Sequence, residues 1–217
     1  MPAAYSPYEE AAGDVIALLH PALRTYFSVI PDGQHGFGVG MFSAVGTPRR
    51  WLLPFLRLLV PGDVMFAVWE RDVPFIVVNR PAVDDRGRTV VRGRRRFHLT
   101  SGDRTMVDAI TAGADGLVDH LGAKRRFSAR FAARAVDGAL LLDSTAVSVR
   151  IGRVRARVPG WVAPRIALTE RIDDATGEQN VAVTIQLPIV GRVYEYAGSF
   201  RYEIRQGEGP AWASASS

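Results

Sequence analysis

Arg125-Arg126-Phe127-Ser128-Ala129-Arg130-Phe131-Ala132-Ala133-Arg134-Ala135-Val136 and Ala139-Leu140-Leu141-Leu142-Asp143-Ser144-Thr145-Ala146-Val147-Ser148-Val149-Arg150-Ile151 are joined by Asp137-Gly138, and this stretch decides the fold. Two long strand-compatible runs separated by Asp-Gly read as a β-hairpin, because that dipeptide accepts the positive φ values of a tight hairpin turn. The pattern continues outward in both directions. Period-2 segments lie at 73–81, 89–99, 105–111, 116–121, 154–158, 165–173, 181–187 and 190–204. Asp84-Asp85-Arg86-Gly87 and Asp173-Asp174-Ala175-Thr176-Gly177 supply further hairpin turns. Successive hairpins make an antiparallel meander, and strands this long curl under their own twist. The expected class is mainly β (α+β): a meander curled into a barrel or half-barrel, with N-terminal helices packed on one end or face.

Before residue 72 the period is that of helices. Val15, Leu18, Leu19, Ala22, Leu23 and Tyr26 recur at i, i+3, i+4 and i+7 spacing, Pro21 kinks or splits the helix, and Pro31-Asp32-Gly33 stops it. Then comes a glycine-spaced strand, His35-Gly36-Phe37-Gly38-Val39-Gly40-Met41-Phe42, with Phe37, Val39 and Met41 on one face. No helix pattern follows it, so the glycines serve close backbone packing and not a phosphate loop. The most apolar run, Trp51 to Val60, is too short for a membrane span and is followed by Pro61-Gly62 and Asp63. It reads as a short helix covering one end of the sheet, or as a lid or membrane-touching element over an apolar cavity. One domain is expected over 1–205, with helices at about 8–30 and 49–60, and a small, polar tail over 206–217 expected to be disordered.

At 217 residues, with 47% hydrophobic and 23% charged residues, the chain has the composition of a single folded domain. It has no cysteine, which excludes disulfides, thiolate metal sites and thiol catalysis. The four histidines are not paired at helical metal-site spacing, and no metal or other cofactor is expected. The net charge is +5, and every basic residue but Lys124 is arginine. These cations are interleaved with 22 acids and no nucleic-acid fold signature accompanies them, so no nucleic-acid partner is expected. Arg92-Gly93-Arg94-Arg95-Arg96 and Arg153-Val154-Arg155-Ala156-Arg157-Val158 are the basic patches. A solvated outer face explains them, and binding of anionic lipid or a phosphate-bearing ligand is the minority reading. The start of the chain carries no secretory signal pattern, so a cytoplasmic location is the expectation.

Several stretches resemble a bacterial family known as domain of unknown function 4166. They are Leu19-His20-Pro21-Ala22-Leu23-Arg24-Thr25-Tyr26-Phe27, the glycine strand, Val158-Pro159-Gly160-Trp161-Val162-Ala163-Pro164-Arg165, and Leu187-Pro188-Ile189-Val190-Gly191-Arg192-Val193-Tyr194-Glu195-Tyr196-Ala197-Gly198. The chain departs from the family at Gly93-Arg94-Arg95-Arg96-Phe97 and Asp119-His120-Leu121-Gly122. The resemblance implies an architecture and, because such domains are often fused behind saccharopine-dehydrogenase-like reductases, a reductase as partner. It implies no activity.

Candidate site residues come from strand parity, since residues of one parity share a face. Arg95 shares parity with Val91, Phe97 and Leu99; Asp143 with Leu141, Val147, Val149 and Ile151; Glu170 with Ile166, Leu168 and Ile172. Tyr194 and Tyr196 share parity with Phe200 and Tyr202. Inward charges pair, line a wet cavity or act chemically. The leading expectation is a barrel that binds an apolar small molecule or lipid-like intermediate, with Tyr194, Tyr196, Trp51, Phe55 and Trp161 as ligand contacts. The alternative is a cofactor-free cyclase, isomerase or hydratase using Asp143, Glu170 and Arg95. A third reading is a partner module docking through the Trp51 to Val60 run. The oligomeric state is left open.

Overall fold

The computed structural model describes residues 5–60 and 62–213. Ser6 starts the first helix with a capping box: its hydroxyl accepts from the Glu9 N–H, and the Glu9 carboxylate accepts from the Ser6 N–H. Helix α1 runs Pro7–Ala17 and α2 runs Pro21–Phe27, so Pro21 splits the helical segment by sitting at the start of a new helix, where its missing N–H costs nothing. Residues 50–52 form a 3-10 turn leading into α3, Leu53–Leu59.

Among the described residues twelve strands follow one another: β1 Gln34–Gly46, β2 Trp69–Glu70, β3 Val73–Val83, β4 Thr89–Leu99, β5 Gly102–Gly113, β6 Gly116–Leu121, β7 Phe127–Val136, β8 Ala139–Ile151, β9 Val154–Arg157, β10 Arg165–Asp173, β11 Glu178–Leu187 and β12 Gly191–Gln206. Neighbours pair antiparallel in the order β10-β11-β12-β1-β3-β4-β5-β6-β7-β8, and β8 pairs back onto β10 through Ala167 opposite Asp143 and Glu170 opposite Leu140. The ring is therefore closed: a ten-stranded antiparallel barrel, with β2 and β9 appended. Closure satisfies every edge of the ring internally.

One end of the barrel is plugged. Helix α1 packs against β4 to β7 and α2 against β10 and β12, so the helices bridge opposite walls. Leu23 and Phe27 are almost completely buried there, and the Tyr26 ring meets those of Phe200 and Tyr202. The His20 N–H donates to the Gly138 carbonyl at 2.9 Å, tying the plug to the β7–β8 turn. Gly36, Gly38 and Gly40 of β1 face inward while Val39 and Met41 face water. A Cβ at Gly40 would lie 2.1 Å from the Ser199 carbonyl oxygen of the neighbouring strand, so the close packing requires glycine.

At the other end, residues 47–60 and 62–72, between β1 and β3, line the mouth. Among the described residues no helix is long and apolar enough to cross a membrane. Of the tail expected to be disordered, residues 207–213 lie against the barrel: the His35 ring bonds the Gly207 carbonyl at 2.8 Å, and the Arg96 guanidinium sits 5.2 Å from the Trp212 ring centroid. Residues 214–217 fall outside the described residues.

Candidate functional site

The inner face is built in three layers. Next to the mouth lies a cavity of about 480 Å³, walled by aliphatic and aromatic side chains that include Phe131, Val147, Leu168 and Val183 from the strands. Trp51, Leu52, Phe55, Leu56, Val64 and Met65 from the covering segment form its upper rim. Below it is a charged layer, and below that the helical plug.

Of the expected ligand contacts, Tyr194, Tyr196, Trp51 and Phe55 line this one cavity. Tyr194 is fully buried and its hydroxyl accepts from the Phe66 N–H at 3.2 Å, pinning the covering segment to β12. Burial raises the pKa of both tyrosines, leaving them as neutral donors. Trp161 does not join them. It sits in the connection between β9 and β10, 80% exposed, following a short strand that pairs only with β8 and has all four residues exposed.

The charged layer contains Arg95 and Glu170, as parity predicts, and they share a small void with Tyr196 and Leu168 directly beneath the cavity. Glu170 is buried and accepts a hydrogen bond from the Gln179 side-chain amide. Burial pushes the Glu170 carboxyl up to about 7, against the opposing pull of Gln179 and Arg95. Arg95 is paired with Asp108 on the adjacent strand. Burial disfavours the Arg95 charge more than any single neighbour favours it, but the Asp108 carboxylate, together with Tyr26 and Tyr196, raises the guanidinium's pKa overall.

Asp143 is not in this layer. Thr145 is an extra residue between the pairs Phe131–Ser144 and Arg130–Ala146, a β-bulge that reverses parity along β8. Leu140 and Leu142 face inward below the bulge and Val147 above it, so Asp143, counted with Val147 in the sequence, points outward. Its carboxylate bonds Arg134 at 2.7 Å with half its side chain in water.

Two inward acids were missed. Asp108 shares parity with Met106 and Ile110 on β5, and Asp119 with Leu117 and Leu121 on β6, so the same parity test applied to these strands finds both. A Cβ at Gly93 would lie 2.1 Å from Asp108 Oδ1, so this glycine leaves room for the carboxylate to reach Arg95. Asp119 lines the apolar cavity, and its Oδ1 is buried with no hydrogen-bond partner. Burial raises the Asp119 pKa well above the usual carboxylate range, and the nearby Asp108 charge adds to the effect while Arg95 opposes it. Next to it, His120 points the other way, with Nε2 3.0 Å from Thr111 Oγ1, and burial followed by the Arg155 charge lowers its pKa to about 4. Among the described residues no three histidine, aspartate or glutamate side chains converge as metal ligands.

Chemically, the arrangement offers an apolar chamber with two carboxyls whose neutral form burial favours, one in its wall and one just beneath, and a guanidinium already engaged by a partner. Residues 19–200 match the family model described as Domain of unknown function (DUF4166), and the chain belongs to that family. The uncharacterized protein YndH of Bacillus subtilis (strain 168) is 25% identical over 194 residues, which cover 87% of this chain and 93% of that protein. No solved structure matches the chain.

Proposed function

We propose that this member of the DUF4166 family binds one apolar, lipid-like molecule whose polar end is an uncharged hydrogen-bond acceptor. The reading rests on a single observation: a chamber of about 480 Å³, walled by apolar side chains, that holds the buried and unpartnered Asp119 Oδ1. Apolar walls with few polar groups are the usual make-up of a small-molecule site. The head-group preference follows from charge. A protonated Asp119 donates to a carbonyl, ether or hydroxyl oxygen, whereas a carboxylate head would have to compete with Asp108 for Arg95.

Fluorescence of the neutral probe N-phenyl-1-naphthylamine tests this. The probe brightens with the wild-type protein, 2-dodecanone displaces it, and dodecanoate displaces it far less well. Leu168→Trp fills the chamber and abolishes the signal, while Asp119→Leu weakens the ketone by about tenfold, the loss expected for one buried hydrogen bond. No probe binding to folded wild-type protein would refute the chamber as a ligand site, and equal displacement by dodecanoate would refute the head-group preference.

A second reading is favoured by Glu170, whose carboxyl sits at about 7, where it can both give and take a proton. In that case the same chamber folds a substrate for a cyclisation, isomerisation or hydration without a cofactor, with Glu170 as the acid or base and Arg95 tuning it. Glu170→Gln then abolishes turnover while leaving probe binding intact.

A further inference from the structure

The mouth of the barrel has a surface unlike the rest of the molecule, and we infer that it docks on an anionic lipid bilayer. This goes beyond the proposal of a lipid-like ligand: it assigns a surface, and its residues are chosen outside the chamber. Elsewhere the exposed large hydrophobics lie apart on different elements, such as Leu18, Val83 and the Val39–Met41 pair on the outer face of β1. At the mouth they come from the β1–β3, β8–β9, β9–β10 and β11–β12 connections. Leu58 lies on α3, Ile151 and Val154 flank the tip of the β8–β9 hairpin, Trp161 occupies the β9–β10 connection, and Ile189 tips the β11–β12 turn. All five are exposed to more than two-thirds, and none lines the chamber.

Cations surround these tips. From Arg150 to Arg165 there are five arginines and no acid, and Lys124-Arg125-Arg126 and Arg49-Arg50 lie on neighbouring mouth connections. Among the described residues none of the arginines from Arg150 to Arg165 pairs with a carboxylate; Arg150, Arg155 and Arg157 instead donate to the Lys124 carbonyl, the Ser128 hydroxyl and the Thr145 carbonyl. Separate apolar tips interleaved with arginine, with no flat patch between them, suit a bilayer interface, where the tips enter the acyl boundary and the cations stay among phosphate head groups.

Ile189 adds an independent sign. Its φ is +69° and the Val190 N–H donates to the Pro188 carbonyl at 2.7 Å, a three-residue turn that is strained for any side chain and worst for a β-branched one. The side chain gains nothing from the fold, being fully exposed. A fold that holds an isoleucine in a glycine conformation with no packing in return indicates a role outside the fold. Docked in this way, the rim formed by Trp51 and Phe55 faces the bilayer, so an apolar molecule moves between membrane and chamber without crossing water.

Sedimentation of the full chain with vesicles tests the inference, using phosphatidylcholine alone and equal parts phosphatidylcholine and phosphatidylglycerol. Binding is expected to the mixed vesicles only and to weaken with salt. Trp161→Ser combined with Ile189→Asn should lower partitioning by about tenfold, and Arg153→Glu combined with Arg157→Glu by at least as much, since each reversal puts an anion where a cation faced the anionic surface. Ile189→Asn alone should weaken vesicle binding while leaving thermal stability equal or higher, because asparagine tolerates positive φ. These rim variants should retain N-phenyl-1-naphthylamine binding, and Leu168→Trp should lose the probe while still sedimenting with vesicles. Absence of wild-type binding to the mixed vesicles, or binding that the rim variants leave unchanged, overturns the membrane inference and leaves the chamber reading standing.

Discussion

At the plugged end of the barrel Leu23 and Phe27 have almost no surface in water; at the mouth Trp51 and Phe55 keep more than half of theirs exposed while still facing the chamber. The charges divide in the same direction. Acids crowd the plugged end, with Glu9, Glu10 and Asp14 on α1 and Asp173 and Asp174 at the β10–β11 turn, whereas arginines crowd the mouth. Apolar residues of the same kind thus do different work. Those of α2 hold the fold, and those around α3 are left available to something outside it.

The sharpest test of that contrast is stability. Phe27→Ala removes a ring from a fully packed position and should cost about 3–5 kcal/mol, read from urea unfolding. Trp51→Ala at the mouth should cost under about 1 kcal/mol, because little packing is lost. Comparable losses at the two sites would mean that the covering segment is as much a part of the core as the plug.

The next effect lies between the two ends, in the charged layer. Glu170 has a folded pKa of about 7 against an ordinary value of 4.5, so the native state binds more protons than the unfolded chain between those pH values. Stability from this group is therefore full below about 4.5 and is lost as pH rises to about 7, by roughly 3 kcal/mol. His120 has the opposite sign. Its folded pKa is about 4 against 6.5, so its contribution is present above 6.5 and is lost as pH falls toward 4. The two slopes oppose each other in the wild type. Asp119, whose pKa burial also raises, slopes in the same direction as Glu170. Glu170→Gln should therefore flatten the fall of stability with pH across this range, and His120→Gln should steepen it. A Glu170→Gln profile as steep as that of the wild type would show that Glu170 does not carry the titration.

The smallest effect belongs to Asp143. Exposed and paired with Arg134 across two strands, it should change stability by less than about 1 kcal/mol on replacement by asparagine, and probe binding not at all. A loss of probe binding in that variant would place the outer wall in contact with the ligand and blur the distinction between chamber and surface.

Much of the barrel is legible in the chain because strand period and turn chemistry are local. The segments 89–99, 116–121, 139–151 and 165–173 coincide with β4, β6, β8 and β10, and Pro21 divides the helices where its ring predicts. The two-residue β2 leaves no periodic trace and was missed. The site was partly legible. Parity placed Arg95, Glu170, Tyr194 and Tyr196 inside, failed at Asp143 because one bulge residue reverses every side chain beyond it, and was not applied to Asp108 and Asp119, where it works.

By itself, then, the sequence determined the strands, their hairpin connections and which residues alternate together, since these depend on neighbours a few positions apart. Only the tertiary structure decided that β8 closes on β10, that Asp108 and not Glu170 takes the charge of Arg95, and that the exposed apolar tips gather at one end. Those outcomes join residues distant along the chain, and their geometry depends on how many strands complete the ring and where a bulge shifts the register, neither of which any local run of residues encodes.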